Sequence, residues 1–131
     1  VNMAHSEGIN EVLLWDHSLY DIDYYPERFR TGPGGTIDLD NLEFWEWLKD
    51  DYRQMLDRVS EADGLVLTFI ETGAYAERQF SKKMKSSEEK LAAVVNAISD
   101  VLIGERKRNC ISVRLLTPKR NIKARRVVSS I

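Results

Sequence analysis

A nearly continuous apolar run occupies residues 64–70. Runs of this kind are typical of parallel strands that are covered on both faces, whereas a strand with one wet face alternates polar and apolar residues. Parallel neighbours also require long crossover connections, which are usually helical. The run therefore predicts a buried strand in a parallel sheet, with a helix before it and a helix after it along the chain.

Two further apolar segments, residues 11–15 and 110–116, predict strands on either side of the first in sequence. The segments between the strands begin with the capping-box patterns Asp40-Asn41-Leu42-Glu43 and Ser86-Ser87-Glu88-Glu89 and continue with apolar residues at helical spacing. We expect Asp40 to cap the first helix and Gly104 to end the second. The alternation predicts an α/β fold with a parallel sheet of about three or four strands and flanking helices.

Charge divides the chain unevenly. Residues 1–104 carry 10 Lys or Arg and 20 Asp or Glu, whereas residues 105–131 carry 9 and 1. We therefore expect an α/β domain over residues 1–116 and a basic tail over 117–131. The tail is expected to be a solvated terminus that faces the acidic body of its own or a neighbouring chain, and the alternative is a contact with phosphate or an acidic partner. The negative charge of residues 1–104 argues against a nucleic-acid partner.

Several classes of protein are not indicated. No apolar run approaches the ~20 residues of a membrane helix, and the first ten residues lack the pattern of a signal peptide. Cys110 is the single cysteine, which predicts a reducing compartment and a cytoplasmic location. His5, His17 and Cys110 do not have the spacing of metal ligands, and we expect neither a metal nor a cofactor.

The long connections all leave the carboxyl ends of predicted strands, whereas each return from a helix to the next strand is short. In parallel α/β folds, ligands bind at that edge of the sheet. The candidate site residues follow the first two strands and are Asp16, His17, Tyr20, Glu71, Thr72 and Arg78.

Glu71 is the candidate general acid, because a carboxyl group at the partly desolvated edge of a sheet can acquire a raised pKa. Asp16 is the candidate second carboxylate, since most glycosidases use a pair of Asp or Glu side chains. His17, Tyr20, Thr72 and Arg78 are candidates for contacting the substrate. Alternatively, Glu71 caps the following turn or pairs with Arg78, and Asp16 and His17 form an ordinary loop pair.

Aromatic side chains crowd the first long loop, where Tyr20, Tyr24, Tyr25 and Phe29 fall within ten residues. They could stack on a sugar face. They could equally cover an exposed end of the core, and the sequence leaves both interpretations open.

Three segments resemble consecutive units of a (β/α)-barrel glycoside hydrolase of the broad α-glucuronidase and hexosaminidase-like type. They read HSEGINEVLLWDHSLY, TIDLDNLEFWEWLKDDYRQMLDRVSEADGLVLTFIETG and SSEEKLAAVVNAISDVL, and together they span roughly residues 5–116. The resemblance implies a partial TIM barrel and places Glu71 on an active-site rim. It implies carbohydrate hydrolysis or carbohydrate binding at the carboxyl ends of the strands.

The alternative to a glycosidase-like chain is a non-catalytic module for assembly or binding. Three parallel strands cannot close a barrel, so their edges require a partner. We therefore expect a homodimer or a higher homo-oligomer.

Overall fold

One sheet of four strands organises the chain, in the order β1-β2-β3-β4. The computed structural model describes residues 6–8, 13–17, 19, 21–59, 62–68, 75–106, 110–114 and 122–124. The strands are β1 (Leu13–His17), β2 (Gly64–Thr68), β3 (Cys110–Arg114) and β4 (Ile122–Ala124). β1, β2 and β3 are mutually parallel, and β4 runs antiparallel to β3. The predicted α/β class with a parallel sheet is thus confirmed, and the predicted basic tail contributes the fourth strand.

Two α-helices connect the parallel strands. Helix α1 (Leu42–Arg58) lies between β1 and β2, and helix α2 (Ser87–Ser99) follows β2 and continues as a π-helical segment, Asp100–Glu105. The second capping box is confirmed, because the Ser86 hydroxyl accepts from the Glu89 amide at 3.2 Å. Gly104 does not end an α-helix, since the α-helical pattern stops at Ser99 and the residues up to Glu105 form the wider π turns.

The prediction that Asp40 caps α1 is wrong. Asn41 is the cap, and its side-chain oxygen accepts from the amide of Glu43 at 3.0 Å. The Asp40 carboxylate instead accepts from Ser81 Oγ at 2.7 Å and from the Lys82 amide at 2.6 Å. Asp40 therefore connects two loops, and it lies two residues before Leu42, where the helix that it was expected to cap begins.

Both helices pack on one face of the sheet. Leu65 and Leu67 of β2, which are fully buried, belong to the same apolar cluster as Leu48 of α1 and Ile98 of α2. Val66 points to the opposite face because side chains alternate along a strand, and it lies outside that cluster although it is buried. Helices α1 and α2 thus form a single layer on one face of the sheet.

Ion pairs connect α1 to the end of α2. Lys49, Arg53 and Asp57 recur at intervals of four residues on one flank of α1 and pair with Asp100, Glu105 and Arg106 at 3.8, 2.9 and 2.6 Å. The hydrogen bond from Arg53 lowers the pKa of the Glu105 carboxyl. This flank of α1 therefore faces the end of α2, and the opposite flank faces away from α2.

The strand limits differ from those predicted. β1 extends through Asp16 and His17, which were expected just beyond it, and β2 and β3 extend to Thr68 and Arg114. The predicted ends of the second and third strands, at Ile70 and Leu116, lie outside the described residues. In the described part of the chain, no helix is both long enough and apolar enough to cross a bilayer.

Candidate functional site

The carboxyl ends of β1 and β2 lie side by side. Asp16 is paired in register with Leu67, and His17 with Thr68. The carboxyl-terminal residues of β1 and β2, His17 and Thr68, therefore lie at the same edge of the sheet. The prediction that these two strands are parallel is confirmed by this register, and the predicted position of Glu71 at the same edge stays a prediction.

The connections that leave this edge are joined to each other. The Phe80 amide donates to Ile37 O at 2.9 Å, and the Leu39 amide donates to Phe80 O at 2.7 Å. The Gln79 side-chain oxygen, which is buried, accepts from the Ile37 amide at 2.8 Å. Together with Asp40, these contacts hold the two long connections to each other.

Asp16 lies on the helix-facing side of β1. Its register partner Leu67 is part of the core beneath α1 and α2, and residues paired across parallel strands share a face. The phenol of Tyr52, a buried residue of α1, donates a short hydrogen bond to Asp16 Oδ2. Asp16 thus connects the end of β1 to the middle of α1.

A groove of about 770 Å³ opens beside this pair, on the flank of α1 that faces away from α2. We call it the acidic groove. Its wall contains four carboxylates, three phenols and three further side chains of α1, namely Asp16, Asp21, Asp23, Asp51, Tyr24, Tyr25, Tyr52, Gln54, Met55 and Arg58. With four acidic groups and one guanidinium, the groove attracts cations and can accept hydrogen bonds from hydroxyl groups.

Tyr24 covers one side of the acidic groove. Its hydroxyl donates to Asp51 Oδ1 at 2.5 Å, and its side chain remains 59% exposed. The hydrogen bond to Asp51, followed by partial burial, raises the pKa of Tyr24 to about 12. The phenol is therefore a neutral hydrogen-bond donor throughout the physiological pH range, with its ring accessible from the groove.

The other described aromatics of the first loop cover the core. Tyr25 and Phe29 are 5% and 1% exposed, and their rings pack edge-to-face against Phe44 of α1. Burial, and then the negative charge of Asp16, raise the pKa of Tyr25. Of the two interpretations of these aromatics, core cover applies to Tyr25 and Phe29, and Tyr24 retains a ring that a ligand could contact.

The remaining predicted site residues divide into two groups. Arg78 is exposed on the 3₁₀ turn Ala76–Arg78, and its guanidinium lies over the Tyr75 ring at 4.5 Å from the centroid. His17 is the last residue of β1. Tyr20, Glu71 and Thr72 lie outside the described residues, so their predicted roles stay predictions.

The carboxylates of the acidic groove are not grouped as metal ligands. Across residues 21–59 and the other described segments, no three His, Cys, Asp or Glu side chains are grouped so that they could hold a metal ion. The four carboxylates of the acidic groove instead accept hydrogen bonds within the chain: Asp16 from Tyr52, Asp51 from Tyr24, Asp21 from the Asp23 amide and Asp23 from Arg30.

Comparison of the chain with protein-family models, with curated proteins and with solved structures gives no match.

Sequence reasoning missed most of the groove. In the sequence, Asp51 and Gln54 fit the solvated face of α1 and Met55 fits its apolar stripe, so the helix pattern did not indicate that they line one groove. The alternation of side chains along β1 contains a signal that could have indicated the groove. Asp16 lies two residues after Leu14, and a strand period of two puts both on the face that contacts the helix. A carboxylate at such a position requires a polar partner on α1, and Tyr52 provides it.

Proposed function

We propose that this chain is part of a (β/α)-barrel glycoside hydrolase-like unit that binds or hydrolyses carbohydrate at the carboxyl ends of its strands. The supporting observation is the order of the strands. β1, β2 and β3 are parallel and adjacent in chain order, and the two connecting helices α1 and α2 pack on one face. Doubly wound sheets reverse their strand order and carry helices on both faces, whereas a (β/α) barrel keeps chain order with helices outside.

Two carboxylates carry the proposed chemistry. Glu71 follows β2 by three residues and is the proposed general acid, which protonates the leaving glycosidic oxygen. Asp16 at the end of β1 is the proposed second carboxylate. His17, Tyr20, Thr72 and Arg78 are proposed to contact the sugar, and no cofactor or metal takes part.

Hydrolysis of aryl glycosides and aryl glucuronides tests this proposal. Wild-type protein should release the aryl group, and Glu71→Gln should lower the rate by at least 100-fold, since general acid–base catalysis contributes about 10²–10⁴-fold. Glu77→Gln is the matched control, because Glu77 belongs to the same connection and lies on the turn Ala76–Arg78. Equal rates for wild type and Glu71→Gln would refute the assignment of Glu71.

A second candidate function, carbohydrate binding without turnover, is favoured by the contact of Asp16. Asp16 faces the helices and accepts a hydrogen bond from the buried phenol of Tyr52. In a barrel the substrate meets groups at the strand ends that face inward, so an Asp16 held in this way would not act as the second catalytic carboxylate. Under this alternative, sugars shift the NMR signals of Tyr24 and of its neighbours without being hydrolysed. Turnover that disappears in Glu71→Gln would exclude it.

A further inference from the structure

The acidic groove has the dimensions of a small-molecule site. Its volume of about 770 Å³ falls within the range of about 300–1,000 Å³ that is usual for ligand pockets. The end of β1, residues 21–25 of the loop that follows it and one flank of α1 bound the groove on three sides. The side chains of this wall indicate which chemical class of ligand the groove can hold.

An accessible aromatic ring lies in the wall of the groove. Tyr24 is 59% exposed, and its ring makes edge-to-face contacts with Tyr25 and Trp47 at centroid distances of 5.4 and 5.8 Å. Its hydroxyl donates to Asp51 at 2.5 Å. The ring is thus held from two sides before a ligand arrives, and an aromatic face attracts cations and covers apolar groups.

Asp51 keeps its negative charge beside this ring. It accepts its hydrogen bond from the Tyr24 phenol, which stays neutral at physiological pH. A carboxylate has several lone pairs, so Asp51 can accept further hydrogen bonds. Asp16 adds to the negative potential in the same place, because burial and then the charges of Asp16 and Asp51 raise the pKa of Tyr25.

Guanidinium groups offset only part of this charge. Arg58 belongs to the wall, and Arg30 pairs with Asp23 at 3.4 Å, whereas the wall contains four carboxylates. The excess does not suit a metal ion, since no three possible ligands are grouped anywhere in the described segments. Carboxylates spread around an aromatic wall suit an organic cation, whose N–H groups reach separate acceptors and whose carbon atoms contact the ring.

We propose that the acidic groove binds a protonated alkylamine, that is, a primary ammonium group on an aliphatic stem. The ammonium group donates to Asp51, and the stem lies against Tyr24 and Met55. A primary ammonium group is favoured over a quaternary one because its N–H groups match the carboxylate acceptors. A neutral or anionic ligand of the same shape cannot compensate the excess negative charge. Binding of this cation does not depend on the proposed hydrolysis, because Glu71 has no part in it.

Ligands that share a butyl stem and differ in charge test the proposal. Butylammonium, butanol and butyrate are titrated into the wild-type protein at constant ionic strength, and backbone NMR signals are followed. Butylammonium should shift the signals of residues 21–25 and 51–58 in a saturable manner. Butanol should bind at least ten-fold more weakly, because hydrogen bonds between charged groups are roughly twice as strong as neutral ones, and butyrate should not bind.

Asp51→Asn separates the charge of the groove from its shape. Asparagine still accepts from the Tyr24 hydroxyl but carries no charge, so the dissociation constant of butylammonium should rise at least ten-fold. Glu46→Gln is the matched control, because it removes the same charge from an exposed position of α1 outside the groove, and its dissociation constant should equal that of the wild type. Tyr24→Leu should raise the constant about two- to five-fold, the effect of an exposed cation–π contact, whereas Tyr24→Phe keeps the ring and should bind at least as tightly as the wild type.

Several results would overturn the proposal: no saturable shifts in the two segments, equal affinities for butylammonium and butanol, an unchanged constant in Asp51→Asn, or an equal rise in Glu46→Gln. Displacement of butylammonium by calcium chloride at equal ionic strength would also overturn it, because the carboxylates would then form a metal site. If a variant does not fold by circular dichroism, the ranking of the butyl ligands on the wild-type protein decides. Hydrolysis of aryl glycosides by the same protein is a separate measurement, so failure of the proposed function and failure of this site are distinguishable.

Discussion

The environment of Asp16 bears on whether this carboxylate binds a ligand or stabilises the fold. A carboxylate at a strand end is free to meet a ligand, but this one accepts a hydrogen bond from Tyr52 on the helix side of the sheet. Removing a ligand-binding carboxylate would leave the stability of the fold nearly unchanged. Removing one that holds a buried phenol lowers stability, because the phenol loses this hydrogen bond in a buried position.

Tyr52→Phe should therefore lower the free energy of unfolding by about 2 kcal/mol, the typical contribution of a hydrogen bond to a charged group. Urea unfolding measures the loss, and the same change in an Asp16→Asn background should cost less because the charged partner is gone. Tyr75→Phe is the control, since Tyr75 contacts Arg78 through its ring and should change stability by less than about 0.5 kcal/mol. Equal costs for the substitution at position 52 in both backgrounds would show that Asp16 and Tyr52 are not coupled.

The Tyr24 phenol should lose its proton at a higher pH than an ordinary tyrosine. Its pKa of about 12 exceeds the value of about 10 for an unfolded tyrosine, so its hydrogen bond stabilises the fold below pH ~10 and the contribution is lost as pH rises through the folded pKa. Asp51→Asn removes the largest cause and should move the titration of Tyr24 toward pH 10. Absorbance of the phenolate across pH 9–13, compared with Tyr24→Phe, isolates this group.

Asp50→Asn provides the control for this titration. Asp50 is adjacent to Asp51 on α1, but it pairs with Gln54 and has no contact with Tyr24. The role given to the hydrogen bond would be contradicted if the Tyr24 phenol still titrated near pH 12 in Asp51→Asn, or if Asp50→Asn lowered its pKa equally.

Between elements, Asp40 joins the connection after β1 to the connection after β2. Its oxygens accept from Ser81 Oγ and from the Lys82 amide, and these bonds lower the pKa of the Asp40 carboxyl. A carboxyl with a lowered pKa stabilises the fold above its ordinary pKa of about 3.9 and loses the effect as pH falls below that value. The brace between the connections should therefore weaken in acid.

Asp40→Ala should speed hydrogen exchange at the Lys82 amide by at least ten-fold at neutral pH, because that amide loses its acceptor. Glu43→Ala is the control, since Glu43 is exposed in the first turn of α1 and has no bond to the second connection. Unchanged exchange at Lys82 would mean that the brace is held by Phe80 and Gln79 alone.

The order of strands and helices follows from apolar runs, capping boxes and helical periodicity, and these local signals predicted the three parallel strands and both α-helices between them, but not the 3₁₀ turns or the π-helical segment. The contacts between elements do not follow from them. Asp16 and Tyr52 are 36 residues apart, and their meeting depends on the rotation of α1 against β1, which packing sets. Asp40 likewise matched a cap in sequence but binds residues 41 and 42 positions away.

At the scale of the molecule, the acidic groove could not be predicted for the same reason, because it depends on contacts between elements. Its wall combines an exposed loop, a strand end and one flank of α1, and none of these has an unusual pattern alone. The basic strand β4 was missed because residues 117–131 are rich in charge, and charged segments are read as solvated tails. Pairing with β3 overrides that preference, since the backbone alone forms the ladder.

A single apolar cluster should make the described fold unfold as one unit. Leu67 is fully buried within the cluster that includes residues of both α-helices, and Trp45 and Trp47 of α1 pack against it. Leu67→Ala should cost about 2–5 kcal/mol, the usual range for deleting a buried leucine side chain. Because both helices share the cluster, the urea midpoints from tryptophan fluorescence and from far-ultraviolet circular dichroism should fall together. Leu42→Ala, at a position 76% exposed, is the control and should leave both midpoints nearly in place. Midpoints that separate in Leu67→Ala would show that α1 and α2 fold as independent units, each with a core of its own.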